Sequence, residues 1–311
     1  MIFDTTFGIQ YELVRDLVVH ATYRHRHTRD DLYSFNANRF TGDLVDGVLN
    51  QLNPNFDNIT VLTNLGRRAY YGFVTGVSKR MAQGWQLNAS YTYNNARNNF
   101  ANGQADNYDS SATNAYDPEV DWARDDIAHV FTLHSVWDLP VLRGRSGWLA
   151  GLVGGWQLNS IWNFQSGGLF VPVSNSGFGE GGDFNADGQR GERPDRPAGN
   201  VARSFSREAW LRGTLTAGMF PLPDTVRAGN LPRDYFRGPG YARVDAALSK
   251  SFPIPVGRAE KGRLQVRAEA FNLLNRINIS NVSNSMDAPN FGRATGAFQM
   301  RTIQLSVKFL F

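Results

Sequence analysis

An all-β, antiparallel transmembrane β-barrel is the fold class this sequence predicts, and three observations predict it. Apolar and polar residues alternate with period two along several segments. Most segments run ~10 residues or longer, which matches the ~9–11 that a tilted strand needs to cross a bilayer and exceeds the ~5–6 of a usual soluble strand. The connections between them are alternately short and long, as in outer-membrane barrels with short periplasmic turns and longer outside loops.

Each segment shows its two faces. Phe7, Ile9, Tyr11 and Leu13 oppose Gly8, Gln10 and Glu12. Leu17, Val19, Ala21 and Tyr23 oppose His20, Thr22 and Arg24, and Tyr71, Phe73 and Val77 mark a third strand. Trp85, Leu87, Ala89, Tyr91 and Tyr93 share one face; Gln86, Asn88, Ser90, Thr92 and Asn94 share the other. Ile127 to Trp137 reads as a strand with mixed alternation. Trp156, Leu158, Trp162 and Phe164 oppose Gln157, Asn159, Asn163 and Gln165. Val244, Ala246 and Leu248 oppose Arg243, Asp245 and Ser249, and Leu264, Val266, Ala268 and Ala270 oppose Arg263, Gln265, Arg267 and Glu269. In the last strand Ile303, Leu305, Val307, Phe309 and Phe311 oppose Thr302, Gln304, Ser306 and Lys308. This gives about nine strands, with a tenth placed in 200–220. Alternation alone also fits a soluble fold with one charged face. Tryptophans and tyrosines near strand ends favour a membrane girdle.

Short connections are expected at Glu12 to Asp16, Arg80 to Gly84, Leu139 to Gly147 and Ser251 to Gly262. Long polar stretches lie at 30–66, 95–124, 167–239 and 275–300, rich in Asn, Asp, Gly and Ser and without a steady period. Loops of that length are uncommon in compact soluble domains.

Composition narrows the classes further. The chain has 311 residues, 32 basic against 28 acidic, and no cysteine, which removes disulfides, thiolate metal sites and Cys nucleophiles. No apolar run approaches the ~20 residues of a membrane helix. No Lys/Arg block suggests a nucleic-acid partner. The start, Met1-Ile2-Phe3-Asp4, lacks the pattern of a secretory signal.

A family resemblance enters near the C-terminus. Arg267-Ala268-Glu269-Ala270-Phe271-Asn272-Leu273-Leu274-Asn275 resembles the penultimate-strand motif of TonB-dependent outer-membrane receptors, and within them the Oar-like group. Phe291-Gly292-Arg293 and the run Arg301 to Phe311 continue it. Arg237 to Asp245, Leu248 to Phe252, Gly155 to Leu158 with Gln165-Ser166-Gly167, and Gly8 to Leu13 are similar to further stretches of that group. The resemblance implies an outer-membrane barrel for ligand uptake, driven by TonB acting on a plug. It also implies a C-terminal assembly signal, here Gln304, Phe309 and Phe311, with Ser306 where Gly is usual, read by the barrel-assembly machinery. Such receptors have a signal peptide, a TonB-engaging segment, a plug and about 22 strands. None of the first three is found in 1–311, so the expected domain is the C-terminal barrel portion of a longer receptor, meeting TonB only through a missing N-terminal region.

Three groups of residues are candidate sites. Asp183, Asn185 and Asp187, followed by Gly188, match the first half of a calcium loop, with Pro194 where a bidentate Glu is expected and Glu192 or Asp195 as substitutes. The alternative is a solvated turn; calcium is therefore a candidate cofactor only. His25 and His27 share a face and offer a metal pair, or a pair facing lumen or loop beside Arg24 and Arg26. Asp117, Glu119, Asp121, Asp125 and Asp126 form an acidic cluster that reads as a charged surface loop, glycosidase chemistry being the alternative. No elbow, phosphate loop or zinc-protease motif appears, so no enzyme activity is expected. The polar faces, with Arg24, Gln86, Asn88, Thr92, Asn163, Arg243, Asp245, Arg267, Glu269 and Lys308, are expected to line a wet lumen. The expected location is the outer membrane, with its lipid as partner. Two readings stay open beside the receptor: a small porin of about ten strands, and a secreted all-β binding or adhesion protein.

Overall fold

The structure of the chain, a computed structural model, describes residues 1–38, 52–56, 59–99, 122–142, 144–176, 193–223, 229–256 and 260–310. The first strands are β1 (Ile2–Val14), β2 (Leu17–Asn36), β3 (Thr60–Ala82), β4 (Trp85–Asn98), the two-residue β5 (Ala123–Arg124) and β6 (His129–Asp138). Helix α1 (Trp148–Val153) precedes β7 (Gln157–Gln165) and the short β8 (Leu169–Phe170). Helix α2 (Arg207–Arg212), the short β9 (Phe236–Arg237), β10 (Tyr241–Val256), β11 (Glu260–Phe271), the hairpin β12 (Ile279–Val282) and β13 (Ala294–Ala297), and finally β14 (Thr302–Leu310) complete the chain.

The nine long strands form one antiparallel sheet in the order β1-β2-β3-β4-β6-β7-β10-β11-β14, with β5 added to β4. Each long strand pairs with the next long strand in the chain. Direction alternates at every step, so β1 and β14, the two edges, run the same way.

Register carries the period-two pattern across the sheet. One row reads Tyr11, Val19, Val77, Ala89, Leu133, Trp162 and Val244. The next row reads Gln10, His20, Gly76, Ser90, Thr132, Asn163 and Arg243. Side chains of adjacent rows point to opposite faces. The sheet therefore has one mainly apolar and one mainly polar face. Its apolar face is left open: Phe7 is 71% exposed and Leu305 77%. The mixed alternation of β6 arises because Val130 and Val136 sit on the polar face, paired with Gln165 and Asn159.

The short connections have the geometry of hairpins. Arg15 and Asp16 join β1 to β2, with Asp16 at φ 68. Gln83 and Gly84 join β3 to β4 with φ 56 and 82, the two positive angles of a type I′ turn, which suits strand twist. Four expectations are corrected. The connection expected over Ser251 to Gly262 is mostly strand, because β10 runs to Val256 and β11 starts at Glu260. β7 ends opposite Ser249, so lower β10 is an edge on that side, where Pro253 and Pro255 are tolerated. The stretch 30–66 likewise holds strand, since β2 continues to Asn36 and β3 begins at Thr60 past a bulge between Thr28 and Asp31. The tenth strand expected in 200–220 is instead α2 followed by a one-turn 3-10 helix at Ala217–Met219. Ser206 caps α2, its Oγ accepting from the Ala209 N–H at 3.2 Å, and Gly213 at φ 88 ends it.

The fourth correction concerns 167–239 and 275–300, read as irregular polar loops. Their described parts build a hydrophobic core of their own: Trp210, Leu215, Phe220, Leu231, Tyr235, Phe236, Ile279, Met286 and Phe291. Aromatic rings meet edge to face, Tyr235 on Phe236 at 4.9 Å and Phe205 on Trp210 at 5.0 Å. Gly292, at φ 70, lies so close to Leu215 that a Cβ there would come within 2.4 Å of the Leu215 Cβ. These segments leave the sheet at the end opposite the short hairpin turns, and form a cap there.

Candidate functional site

The polar face is an array of short-range ion pairs and amides. Asp4 on β1 lies between Arg24 and Arg26 of β2, whose guanidinium nitrogens donate to it at 2.5 and 2.6 Å. Arg68 donates to Asp31 at 2.7 Å, Arg243 to Asp245 at 2.7 Å and Arg267 to Glu269 at 2.6 Å. Residues two apart on a strand share a face, which is why the pairs 243/245 and 267/269 meet. The Tyr70 hydroxyl donates to Asn94 Oδ1 at 2.8 Å. Towards the cap end this face holds a cleft of about 550 Å³ whose lining includes Arg24, Arg26, Thr28, Asp31, Arg68 and Tyr70. All ten residues expected to line a lumen fall on this one face.

The opposite face ends in aromatic belts. Near the hairpin turns Trp85 faces Trp137, with the Lys79 ammonium 4.2 Å from the Trp85 ring centre. Near the cap end His25 stacks on Tyr71 at 4.7 Å, and the Tyr91 hydroxyl is 2.7 Å from His129 Nδ1. His25 and His27 thus share a face as expected, but it is the face opposite Arg24 and Arg26. His27 Nε2 accepts from Arg29 Nε at 3.0 Å. Among the described residues no group of three His, Asp or Glu has metal-binding geometry.

A buried carboxylate ties the cap to the wall. Asp126 accepts from Arg124 Nε at 2.8 Å and from Arg237 Nη2 at 3.3 Å, with only 1% of its side chain exposed. Arg237 Nη1 also donates to the Gly167 carbonyl at 2.8 Å, and the Arg124 N–H donates to Asp234 at 3.1 Å. Arg233 donates to the Asn98 carbonyl at 3.0 Å. So Asp126, expected in a charged surface loop, is the pin between the β4–β6 wall and the cap. Asp125 accepts from Asn98 at 3.2 Å. Asp117, Glu119 and Asp121 lie outside the described residues.

Inside the cap, Asp287 joins two loops. It accepts from the Asn175 N–H at 2.5 Å, from the Ser174 hydroxyl at 3.2 Å and from the Ser176 hydroxyl. Burial alone would raise its carboxyl; these hydrogen bonds outweigh it and hold the group below the usual carboxylate range. Asn272, in the motif at the end of β11, sits at φ 52 and is buried. Its side chain donates to the Arg276 carbonyl at 2.9 Å and accepts from the Arg276 N–H at 3.0 Å, turning the chain out of the sheet into the cap. Asn278 then bonds both the N–H and the carbonyl of Ala242, at 2.9 Å each.

The calcium candidates Asp183, Asn185 and Asp187 lie outside the described residues, as does Glu192. Asp195 accepts from the Asn230 N–H at 3.1 Å. Of the terminal signal, Gln304 stands opposite Glu269 on the polar face and Phe309 lies on the apolar face, while Phe311 lies outside the described residues. The sequence places Asp126 in an acidic cluster without its pinning role, and it gives no sign of Asp287 or Asn278, since isolated Asp and Asn in loops carry no periodic signal. Asn272 stood inside the quoted motif and was the one legible hint.

The outer membrane transporter YddB from Escherichia coli is similar over 99% of this chain and 32% of its own, at 11% identity and a TM-score of 0.48. A structure of the FpvAI-pyocin S2 complex is similar over 99% and 26%, at 12% identity and 0.46. The copper transporter OprC is similar over 99% and 31%, at 13% identity and 0.39. The chain spans about a third or less of each of these. No curated protein matches. The family model described as outer membrane beta barrel domain matches residues 2–304, so the two-faced sheet has its explanation: the chain belongs to that family and is a β-barrel protein of the outer membrane.

Proposed function

We propose that this chain forms part of the wall of a TonB-dependent-type ligand-uptake barrel, with the cap and the polar cleft facing the ligand. The observation that carries this reading is the pair of open sheet edges. Neither β1 nor β14 has a neighbour on its outer side among the described residues. An open edge in hydrocarbon leaves backbone N–H and C=O groups without partners, at several kcal/mol each. Further strands are needed to cover both edges. Parity supports this: nine alternating strands closed on themselves would set β1 parallel to β14, whereas bacterial single-chain barrels have even numbers of antiparallel strands. An odd number of additional strands restores the pattern, which also weighs against the small porin. TonB would act through a region outside this chain, and the strand β14 with Gln304, Phe309 and Phe311 would be read by the assembly machinery.

The test is an antibody against the last strand, applied to the outer-membrane fraction of the native organism. The reading expects a band much larger than 34.7 kDa. A band at 34.7 kDa that shifts on boiling and conducts ions in planar bilayers would replace it with the porin.

A further inference from the structure

Helix α1 has an unusual environment. It lies in the connection between β6 and β7, at the hairpin-turn end of the sheet. Its sequence is Trp-Leu-Ala-Gly-Leu-Val, and none of its residues is buried. Trp148 is 80% exposed, and Leu149, Leu152 and Val153 are exposed with it. Six residues are far short of the ~12–15 at which an isolated helix becomes even marginal in water. Something must hold it and cover it.

What holds it is Lys250. This residue follows Leu248 on the apolar face of β10 and is itself buried. Its ammonium donates to the Leu152 carbonyl at 3.0 Å and also to the carbonyls of Gly151 and Gly154. A cation on the last carbonyls satisfies groups that a helix end leaves open. The Trp156 indole N–H donates to the same Leu152 carbonyl at 3.1 Å. The Lys250 ammonium also stands 4.9 Å from the Phe252 ring centre. The helix is thus fastened to the lipid-facing side of the sheet through Lys250, two residues beyond the row that contains Trp137, Leu158 and Leu248.

We propose that α1 is an interfacial anchor whose Trp148, Leu149, Leu152 and Val153 insert into the phospholipid leaflet at the periplasmic edge of the barrel. Its surface is continuous with the apolar face that lipid already covers. Trp85 and Trp137 mark the interface next to it, and exposed Arg145 precedes the helix where an anionic headgroup would meet it. A short apolar helix lying in the plane of the interface buries its side chains while a lysine from the wall satisfies its C-terminal carbonyls.

This chain holds no cysteine, so a single label in it reports one site once any cysteine in the rest of the protein is replaced. Single variants Leu149→Cys, Leu152→Cys and Gly144→Cys, in outer membranes of cells making the full protein, are labelled with a nitroxide. Collision with oxygen and with a water-soluble nickel chelate is then measured. The proposal expects labels at 149 and 152 to favour oxygen and to meet the chelate severalfold less than the label at 144. Equal chelate access at all three sites would overturn it. Labels at 149 and 152 shielded from both reagents would also overturn it, in favour of a protein partner. A second set, Leu149→Ser and Leu152→Ser with Lys250 intact, should fold but lose protection of the 139–156 connection from periplasmic protease. Unchanged protection would count against the anchor.

Discussion

The sheet and the cap are built from the same apolar residue types and use them in opposite ways. In the sheet Phe7, Ile9, Leu305 and Val307 point outward and stay exposed. In the cap Trp210, Leu231 and Phe236 are fully buried against one another. The difference lies in the solvent each region meets. Lipid takes the place of a core for the sheet, so its apolar face needs no protein partner. The cap stands outside the bilayer and must bury its own apolar area from water, at roughly 25 cal/mol per Å². The two regions meet at a charged pin, Asp126 between Arg124 and Arg237.

This contrast can be broken from either side. Trp210→Ala should have the largest effect, about 3–5 kcal/mol lost from the cap, because it leaves a cavity in a closed core. Limited proteolysis from outside the cell should then cut within 193–239 while the barrel keeps its resistance to detergent unfolding. Leu305→Arg should do the reverse. A charge on the lipid face costs ~2–4 kcal/mol near the bilayer midplane, read as loss of folded barrel in urea. The neighbour Ser306→Arg, on the polar face, should cost much less.

Asp126→Asn acts on the junction. It removes the charge that holds Arg124 and Arg237 and should cost about 1.5–3 kcal/mol, the range for hydrogen bonds to charged groups. Faster exchange of amides in 233–237, with those of β7 unchanged, would show the cap loosening from the wall. The smallest effect is a pH dependence inside the cap. Asp287 has a folded-state carboxyl held below its unfolded value of about 3.9. Its contribution is therefore complete above about pH 4 and is lost as pH falls through the lower folded value. Protease resistance of the cap should decline in that acidic window, and Asp287→Asn should flatten the decline.

The two regions also differed in how much their sequence revealed. The sheet was readable because a bilayer-crossing strand repeats one rule at every second residue. Trp85 to Asn94 states that rule without exception, and the structure places its two sets on opposite faces. Where polar-face positions hold Val130 and Val136, the rule blurs, yet register still places them. The cap obeys no such rule. Its core residues come from points as far apart as Trp210 and Phe291, joined by loops, and only tertiary packing brings them together. The same holds for the candidate site. Arg24, Arg243 and Glu269 were legible from alternation, whereas Asp126 reads as one acid among five until Arg237 is folded onto it. Helix α2, capped by Ser206 and ended by Gly213, stands where alternation led to the expectation of a tenth strand.

The central claim is that one face of the sheet meets lipid and the other does not. The most direct measurement uses single cysteines at 87 through 92 on β4, labelled with bimane in membranes containing brominated phospholipids. The account predicts strong quenching at Leu87, Ala89 and Tyr91 and little at Asn88, Ser90 and Thr92. Uniform quenching, or the inverse alternation, would contradict it.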